Sequence, residues 1–244
     1  MHPIICQIGP LTIYSYGLML AIAVVVCSSL LSRDAKRYQI KSEVILDLVF
    51  WIVVFGLIGA RIFYVLLNLD FYLNHPWKII AIQEGGLAWQ WSFVSGMLAG
   101  IFFIKKHALP LRPTLDLVAP YIALGHSIGR IGCFLNGCCY GREVPWGIFF
   151  PAYQARLHPT QLYESVSLFI VYVILKKYQS RSPQPGMVFV FYLFLSSLER
   201  FVVEFFRADH EWTWAGLSVF QIISLMILAV SVYARIYIKS RSGK

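Results

Sequence analysis

The stretch Gly125-His-Ser-Ile-Gly-Arg-Ile-Gly-Cys-Phe-Leu-Asn-Gly-Cys-Cys-Tyr-Gly-Arg142 closes an apolar segment that begins near Leu115. It gathers Arg130, Asn136, Arg142, a histidine and three cysteines among five glycines. An arginine at membrane depth is expensive and by default marks a functional site. Glycines let a backbone turn sharply and approach a ligand closely. The rest of the chain reads as a scaffold that holds this stretch in lipid.

Composition supports that reading. Of the 244 residues, 58% are hydrophobic and only 14% charged. A soluble domain of this length has no core large enough to hide so much apolar surface. The formal charge of +9 could suggest nucleic acid. The basic residues instead fall in short clusters between apolar runs, the arrangement that orients membrane proteins. No nucleic-acid partner is expected. The opening residues carry no basic region and no small-residue cleavage site, so no cleavable signal peptide is expected.

About seven segments approach the roughly 20 residues needed to span a bilayer. They lie near Leu11–Leu31, Val44–Asn68, Trp89–Phe103, Leu115–Phe134, Leu162–Leu175, Met187–Phe206 and Leu217–Tyr237. The expected fold class is therefore all-α, a polytopic transmembrane helical bundle forming a single integral membrane domain over residues 1–244, without internal repeats. Fourteen of the 21 lysines and arginines lie after the first, third and fifth segments and in the tail. The alternate loops hold only Lys78, Arg142, Arg156 and Arg207. The positive-inside rule then places the N-terminus outside and the C-terminus in the cytoplasm. Loops 68–89, 140–161 and 207–215 face outward. They carry the aromatics, Glu84-Gly-Gly, His158-Pro-Thr-Gln-Leu-Tyr-Glu164, and Asp209, His210, Glu211, Trp212 and Trp214.

Arg130 and Arg200 are the strongest chemical signal. Each sits near the outer end of its segment, and a guanidinium matches phosphate with a rigid two-pronged fork. Two arginines from different helices can clamp one phosphodiester. The plainer reading is a pair of snorkelling arginines, or an internal pair such as Arg200 with Glu204 four residues on. Tyr16 needs a partner for its hydroxyl within a membrane, although a headgroup-level tyrosine would serve as well. His158 is a natural base near neutral pH, with a backbone-bonded loop anchor as the alternative. Glu164 could pair with an arginine, and His126 lies one turn before Arg130. Cys133, Cys138 and Cys139 have neither zinc-site nor CxxC spacing. They read as small buried hydrophobes, with a disulfide among them as the alternative, and no metal is expected. Gly96-Met-Leu-Ala-Gly100 is a helix-contact motif.

Several stretches together resemble the prolipoprotein diacylglyceryl transferase family. They are Tyr16-Gly-Leu-Met, Glu84-Gly-Gly-Leu, Gly129-Arg-Ile-Gly-Cys-Phe-Leu-Asn-Gly, Tyr140-Gly-Arg, His158-Pro-Thr-Gln-Leu-Tyr-Glu and Arg200-Phe-Val-Val-Glu-Phe-Phe-Arg. They follow the family's order and cover most of the chain. The resemblance implies a seven-span enzyme of the bacterial inner membrane. Its partners would be phosphatidylglycerol, membrane lipid and a prolipoprotein signal peptide with its lipobox cysteine. It would join the diacylglyceryl group to that thiol, forming a thioether and releasing glycerol 1-phosphate, without a cofactor. By position, Arg130 and Arg200 match the family's essential arginines, and Tyr16, Asn136, Gly141 and Glu204 match other functional positions.

The expected catalytic residues are thus Arg130, Arg200, Tyr16 and His158. The expected substrate-binding residues are Arg130, Asn136, Gly141, Arg142, Arg200 and Glu204. The sequence departs from the family at Ser92-Phe-Val-Ser-Gly, where many members carry a histidine in the place of Val94. That leaves the base open. A paralogue with another acceptor, a non-catalytic lipid-binding protein and a small-solute transporter are the competing classes. The last is disfavoured by the lack of a repeat.

Overall fold

The computed structural model describes residues 1–8, 11–81, 85–208, 212–214 and 216–241. Glu84, Asp209, His210, Glu211 and Lys244, all singled out above or counted in the basic tail, lie outside the described residues. The chain is mostly helical and divides into two compact units, one of Met1–Leu31 with Leu115–Lys244 and one of Ser32–Thr114.

The first unit begins with strands β1 (Ile4–Ile8) and β2 (Leu11–Tyr14), paired antiparallel, before helix α1 (Ser15–Ala35). The expected first segment started at Leu11, but Leu11–Tyr14 is strand. Thr12, Ile13 and Tyr14 are β-branched or aromatic, which favours a pleated strand over a helix start. Ser15 then ties the start of α1 to the N-terminus, its N–H donating to Pro3 O at 2.9 Å.

Helices α2 (Ser42–Leu67), α3 (Leu69–Asn74) and α4 (Trp89–Lys106) belong to the second unit. Helix α4 runs three residues beyond the expected Phe103. Glycines bring α2 and α4 together. A side chain added at Gly59 would overlap Ser95, and one at Gly96 would come 3.2 Å from Ile52 O. The Gly96–Gly100 motif is thus a packing surface, because small residues let helix backbones approach. Val94 lies on α4 and is half-buried.

Arg61 solves a different problem. It is buried on α2, and among the described residues its hydrogen bonds go to backbone carbonyls. Its Nε donates to Ile79 O at 2.8 Å, and one terminal nitrogen to Gly85 O at 2.7 Å and Gly86 O at 2.9 Å. The other donates to Lys78 O and, at 3.3 Å, to Ala81 O. The ring of Tyr72 covers the guanidinium at 5.4 Å. One side chain therefore satisfies carbonyls of the segment between α3 and α4, whose described residues include only a single 3-10 turn, Pro76–Ile79.

The first unit continues with α5 (Leu111–Asn136, entering it at Leu115), the hairpin β3 (Glu143–Phe150) and β4 (Ala155–Leu157), and α6 (Thr160–Gln179). It ends with α7 (Met187–Glu204), the short pair β5 (Trp212–Trp214) and β6 (Leu217–Ser218), and α8 (Val219–Arg241). The all-α expectation thus gains three two-stranded ribbons. Ala119, Ala123, Val171, Leu175 and Val188 form a core where α5, α6 and α7 meet. Ser127 Oγ donates to Ser165 O at 2.7 Å, and Ser165 Oγ returns to Ser127 O at 2.9 Å, locking α5 to α6. The Asp116 carboxylate accepts from Gly186 N at 2.6 Å and Phe189 N at 2.8 Å, so α5 caps the start of α7.

Among the described residues, seven helices have 18 or more residues, each overlapping an expected segment. Of the described helical stretches, four are long and apolar enough to cross a membrane: Ser15–Tyr38, Ser42–Leu67, Leu111–Asn136 and Val219–Arg241. Their outward faces carry exposed Val25, Phe50, Leu67, Val230 and Ile236. Water would penalise such a surface and lipid would not, so the chain is an integral membrane protein.

Replacing Arg61 with methionine should leave buried carbonyls unpaired and cost at least about 2 kcal/mol. Hydrogen exchange should quicken in residues 75–81 and 85–88 while α2 and α4 amides stay protected. Equal exchange in both variants would mean that the arginine does not hold the segment.

Candidate functional site

The C-terminal end of α5 sets the site's geometry. The helix stops in a Schellman turn: Gly137 has φ of +80°, Cys138 N–H donates to Cys133 O at 3.2 Å, and Gly137 N–H to Phe134 O at 3.1 Å. The chain then threads between two neighbours. Gly141 N–H donates to His158 O at 2.9 Å, Arg142 N–H to Phe206 O at 2.9 Å, and His158 N–H to Arg142 O at 3.0 Å. A Cβ on Gly141 would lie 2.6 Å from His158 Cβ and 2.7 Å from Thr160 Cγ2. Glycine is needed there because three backbone segments cross. This crossing ties the segment after α5 to the start of α6 and the end of α7.

Three arginines and two glutamates meet beside it. Glu164 lies on the first turns of α6 and its side chain is 1% exposed. Arg130 Nε, from α5, lies against its Oε2 as an ion pair. Its Oε1 takes Arg200 from α7 at 3.2 Å and Arg207, just beyond α7, at 3.0 Å. Glu204 adds a second carboxylate, 2.8 Å from the other prong of Arg200 and 3.8 Å from Arg207 Nε. Ser218 fixes Glu204 by donating its hydroxyl to Oε1 at 2.9 Å. The same serine starts α8 in a capping box. Its N–H donates to Gln221 Oε1 at 2.9 Å, and Gln221 N–H returns to its Oγ at 3.2 Å.

Charge and exposure decide what the network can bind. Three guanidinium groups thus meet two carboxylates in direct ion pairs. The Arg200 side chain is 22% exposed while both glutamates are 1% exposed, so the cation is the group presented outward. Arg130 meets Glu164 through Nε. Arg200 also stacks over Phe220, 4.9 Å from the ring centre. An anion with several oxygens, such as a phosphodiester, suits this arrangement.

The expected residues divide between this network and its surroundings. Arg130, Arg200 and Glu204 are members, and the plainer Arg200–Glu204 pairing also forms. Gly141 is the backbone crossing. Tyr16 packs on α5 at Gly132, 3.3 Å from where a Cβ would stand there. Asn136 is the last residue of α5. Arg142 joins the crossing by its backbone and its side chain is exposed. His158 is buried in an aromatic box, 3.2 Å from the Tyr163 hydroxyl and edge-on to Trp146 at 4.7 Å. Burial pushes its imidazole below the ordinary histidine value, so it is neutral near pH 7.

Arg207 and Glu164 carry more of the site than the sequence reading assigned them. Arg207 was counted only as a loop charge, yet its side chain is 8% exposed. The chain turns on past the end of α7, with Phe206 N–H donating to Val203 O at 2.9 Å and Arg207 N–H to Glu204 O at 3.3 Å, which brings Arg207 back against both glutamates.

Breaking a buried ion network by removing its shared anion leaves cations uncompensated, at a cost of about 3–5 kcal/mol. Glu164→Gln should lower the unfolding midpoint in detergent, and adding Arg207→Gln should recover part of the loss. Additive losses in the double variant would show that the two side chains are not energetically coupled.

The chain is similar to known proteins over nearly its full length. A family model described as prolipoprotein diacylglyceryl transferase matches residues 3–237. A phosphatidylglycerol–prolipoprotein diacylglyceryl transferase of Trichormus variabilis is 36% identical, with 98% of this chain and 91% of the relative covered. One from Oceanobacillus iheyensis is 33% identical over 95% of this chain and 86% of its own length. One from Clostridium tetani is 30% identical, with 96% of each chain covered. With a match running through every helix and both halves of the arginine network, the chain belongs to the prolipoprotein diacylglyceryl transferase family.

Proposed function

We propose that this protein transfers the diacylglyceryl group of phosphatidylglycerol to the lipobox cysteine thiol of a prolipoprotein. The observation that carries the reading is the convergence of Arg130, Arg200 and Arg207 on Glu164, with the Arg200 side chain the most exposed of the three. The names of the relatives supply both substrates. The protein works as one integral, multi-pass domain of seven spans in the inner membrane, with the N-terminus outside. The basic-residue bias supports that orientation.

In the reaction the acceptor thiolate attacks the glyceryl carbon that carries the phosphate ester. A C–S bond forms, the C–O bond breaks, and the electron pair leaves with glycerol 1-phosphate. Arg130 and Arg200 hold the phosphate and stabilise the charge growing on the leaving oxygen; preorganised electrostatics of this kind is usually the largest catalytic contribution. Glu164 and Glu204 aim the forks. Tyr16, Asn136, Gly141 and Arg142 complete the lipid site, and neutral His158 holds the loop through which the acceptor approaches. The acceptor thiol has an ordinary pKa of about 8.5, and a cationic site favours its thiolate without a dedicated base.

Lysine keeps the charge but loses the planar fork. Arg130→Lys and Arg200→Lys should each slow transfer of labelled lipid to a lipobox peptide by about ten- to a hundred-fold. The double variant should lose less than the product of the two, because both groups act on one phosphate. Mild effects from both alanine variants would favour a non-catalytic lipid-binding role. Accessibility labelling of single cysteines should find position 146 reactive only from outside and position 239 only from the cytoplasm; the opposite pattern would reverse the orientation.

A further inference from the structure

The Schellman turn that ends α5 does more than stop a helix. It folds Cys133, Cys138 and Cys139 back on one another until their sulfurs all lie within 4.8 Å. The Cys138 and Cys139 sulfurs are 3.8 Å apart, and all five cysteines of the chain are free thiols. Three sulfurs bound to one ion at about 2.3 Å would stand about 4 Å apart in a trigonal plane. The observed separations need only a small contraction.

The turn is built to hold this arrangement. Cys139 has φ of +61°, a left-handed conformation that a side chain with a Cβ disfavours. Two side chains from the first turn of α6, both fully buried, pin the strained segment. Thr160 Oγ1 donates to Cys139 O at 2.7 Å, and Gln161 Nε2 donates to Cys138 O at 2.6 Å. The Met1 thioether lies beside the same turn, 3.2 Å from where a Cβ of Gly137 would stand.

We propose that Cys133, Cys138 and Cys139 form a three-thiolate site for one soft monovalent cation of the Cu(I) type. Soft sulfur donors select such ions, whereas structural zinc takes four ligands. Among the described residues no fourth cysteine, histidine or carboxylate joins the group. Binding involves no electron transfer. The cation enters already reduced, and each ligating thiol gives its proton to solvent.

The test uses the full chain purified in detergent, reduced with a phosphine and titrated anaerobically with Cu(I) against bicinchoninate. One ion per chain should bind, and X-ray absorption should report a shell of sulfur alone. Losing an outer-shell partner already weakens a metal site by roughly 10–100-fold, so Cys133→Ser, Cys138→Ser and Cys139→Ser should each cost at least that. A Cys6→Ser, Cys27→Ser double variant should bind as the parent does. Cu(I) should also raise the unfolding midpoint of the parent and of the double variant, as any ligand of the folded state does. If the serine variants at the triad fail to fold, the sulfur shell of the parent still decides. Absence of a tight site, nitrogen or oxygen neighbours, affinity lost in the Cys6/Cys27 variant instead, or a disulfide within the triad that resists reduction would each overturn the proposal.

Discussion

The first unit depends on one buried carboxylate. Glu164 accepts three arginines that arrive from α5, from α7 and from the segment after α7. Without it, three clustered guanidinium groups would lose their shared anion, a change that costs a buried ion network several kcal/mol. With it, like charges become a single cluster. Helix α6 is thereby placed against two other elements by electrostatics, while Ser127 with Ser165 and the Ala119–Leu175 core place it by packing.

Glu204 takes the second prong of Arg200, and Ser218 holds Glu204 in turn. The outward exposure of Arg200 leaves that cation within reach of one more anion. A phosphate could exchange with these contacts at little reorganisation, since the forks are already aimed. Preorganisation of this kind is what separates a catalytic cation from a merely charged surface.

Arg61 shows the other way a membrane protein can bury a guanidinium. Its nitrogens are spent on backbone carbonyls of one irregular segment, and a tyrosine ring covers it. Nothing about that arrangement presents charge to a ligand. From sequence, Arg61, Arg130 and Arg200 look alike, each a costly cation within or beside an apolar run. Only the partners separate a structural arginine from a site arginine.

The sequence by itself determined the class, the approximate helices and the identity of the main cations. Apolar runs near the bilayer length predict helices because an unpaired backbone is intolerable in lipid, and each of the seven segments is helical over most of its length. The motifs around Arg130, His158 and Arg200 were legible because charged residues and glycines stand out against leucine and valine. Boundaries were less legible. Leu11–Tyr14 is apolar enough to join α1, yet pairs as a strand with Ile4–Ile8, because a short run carries no periodicity that separates the two. What the tertiary structure alone decided was who meets whom. Glu164 lies 34 positions after Arg130 and 36 before Arg200, and Arg207 lay in a loop by charge counting alone. The gathering of three cysteine sulfurs depends on a left-handed residue after a helix stop, pinned by Thr160 and Gln161 from another helix. Contacts of that kind arise from long-range packing, which residue spacing does not encode.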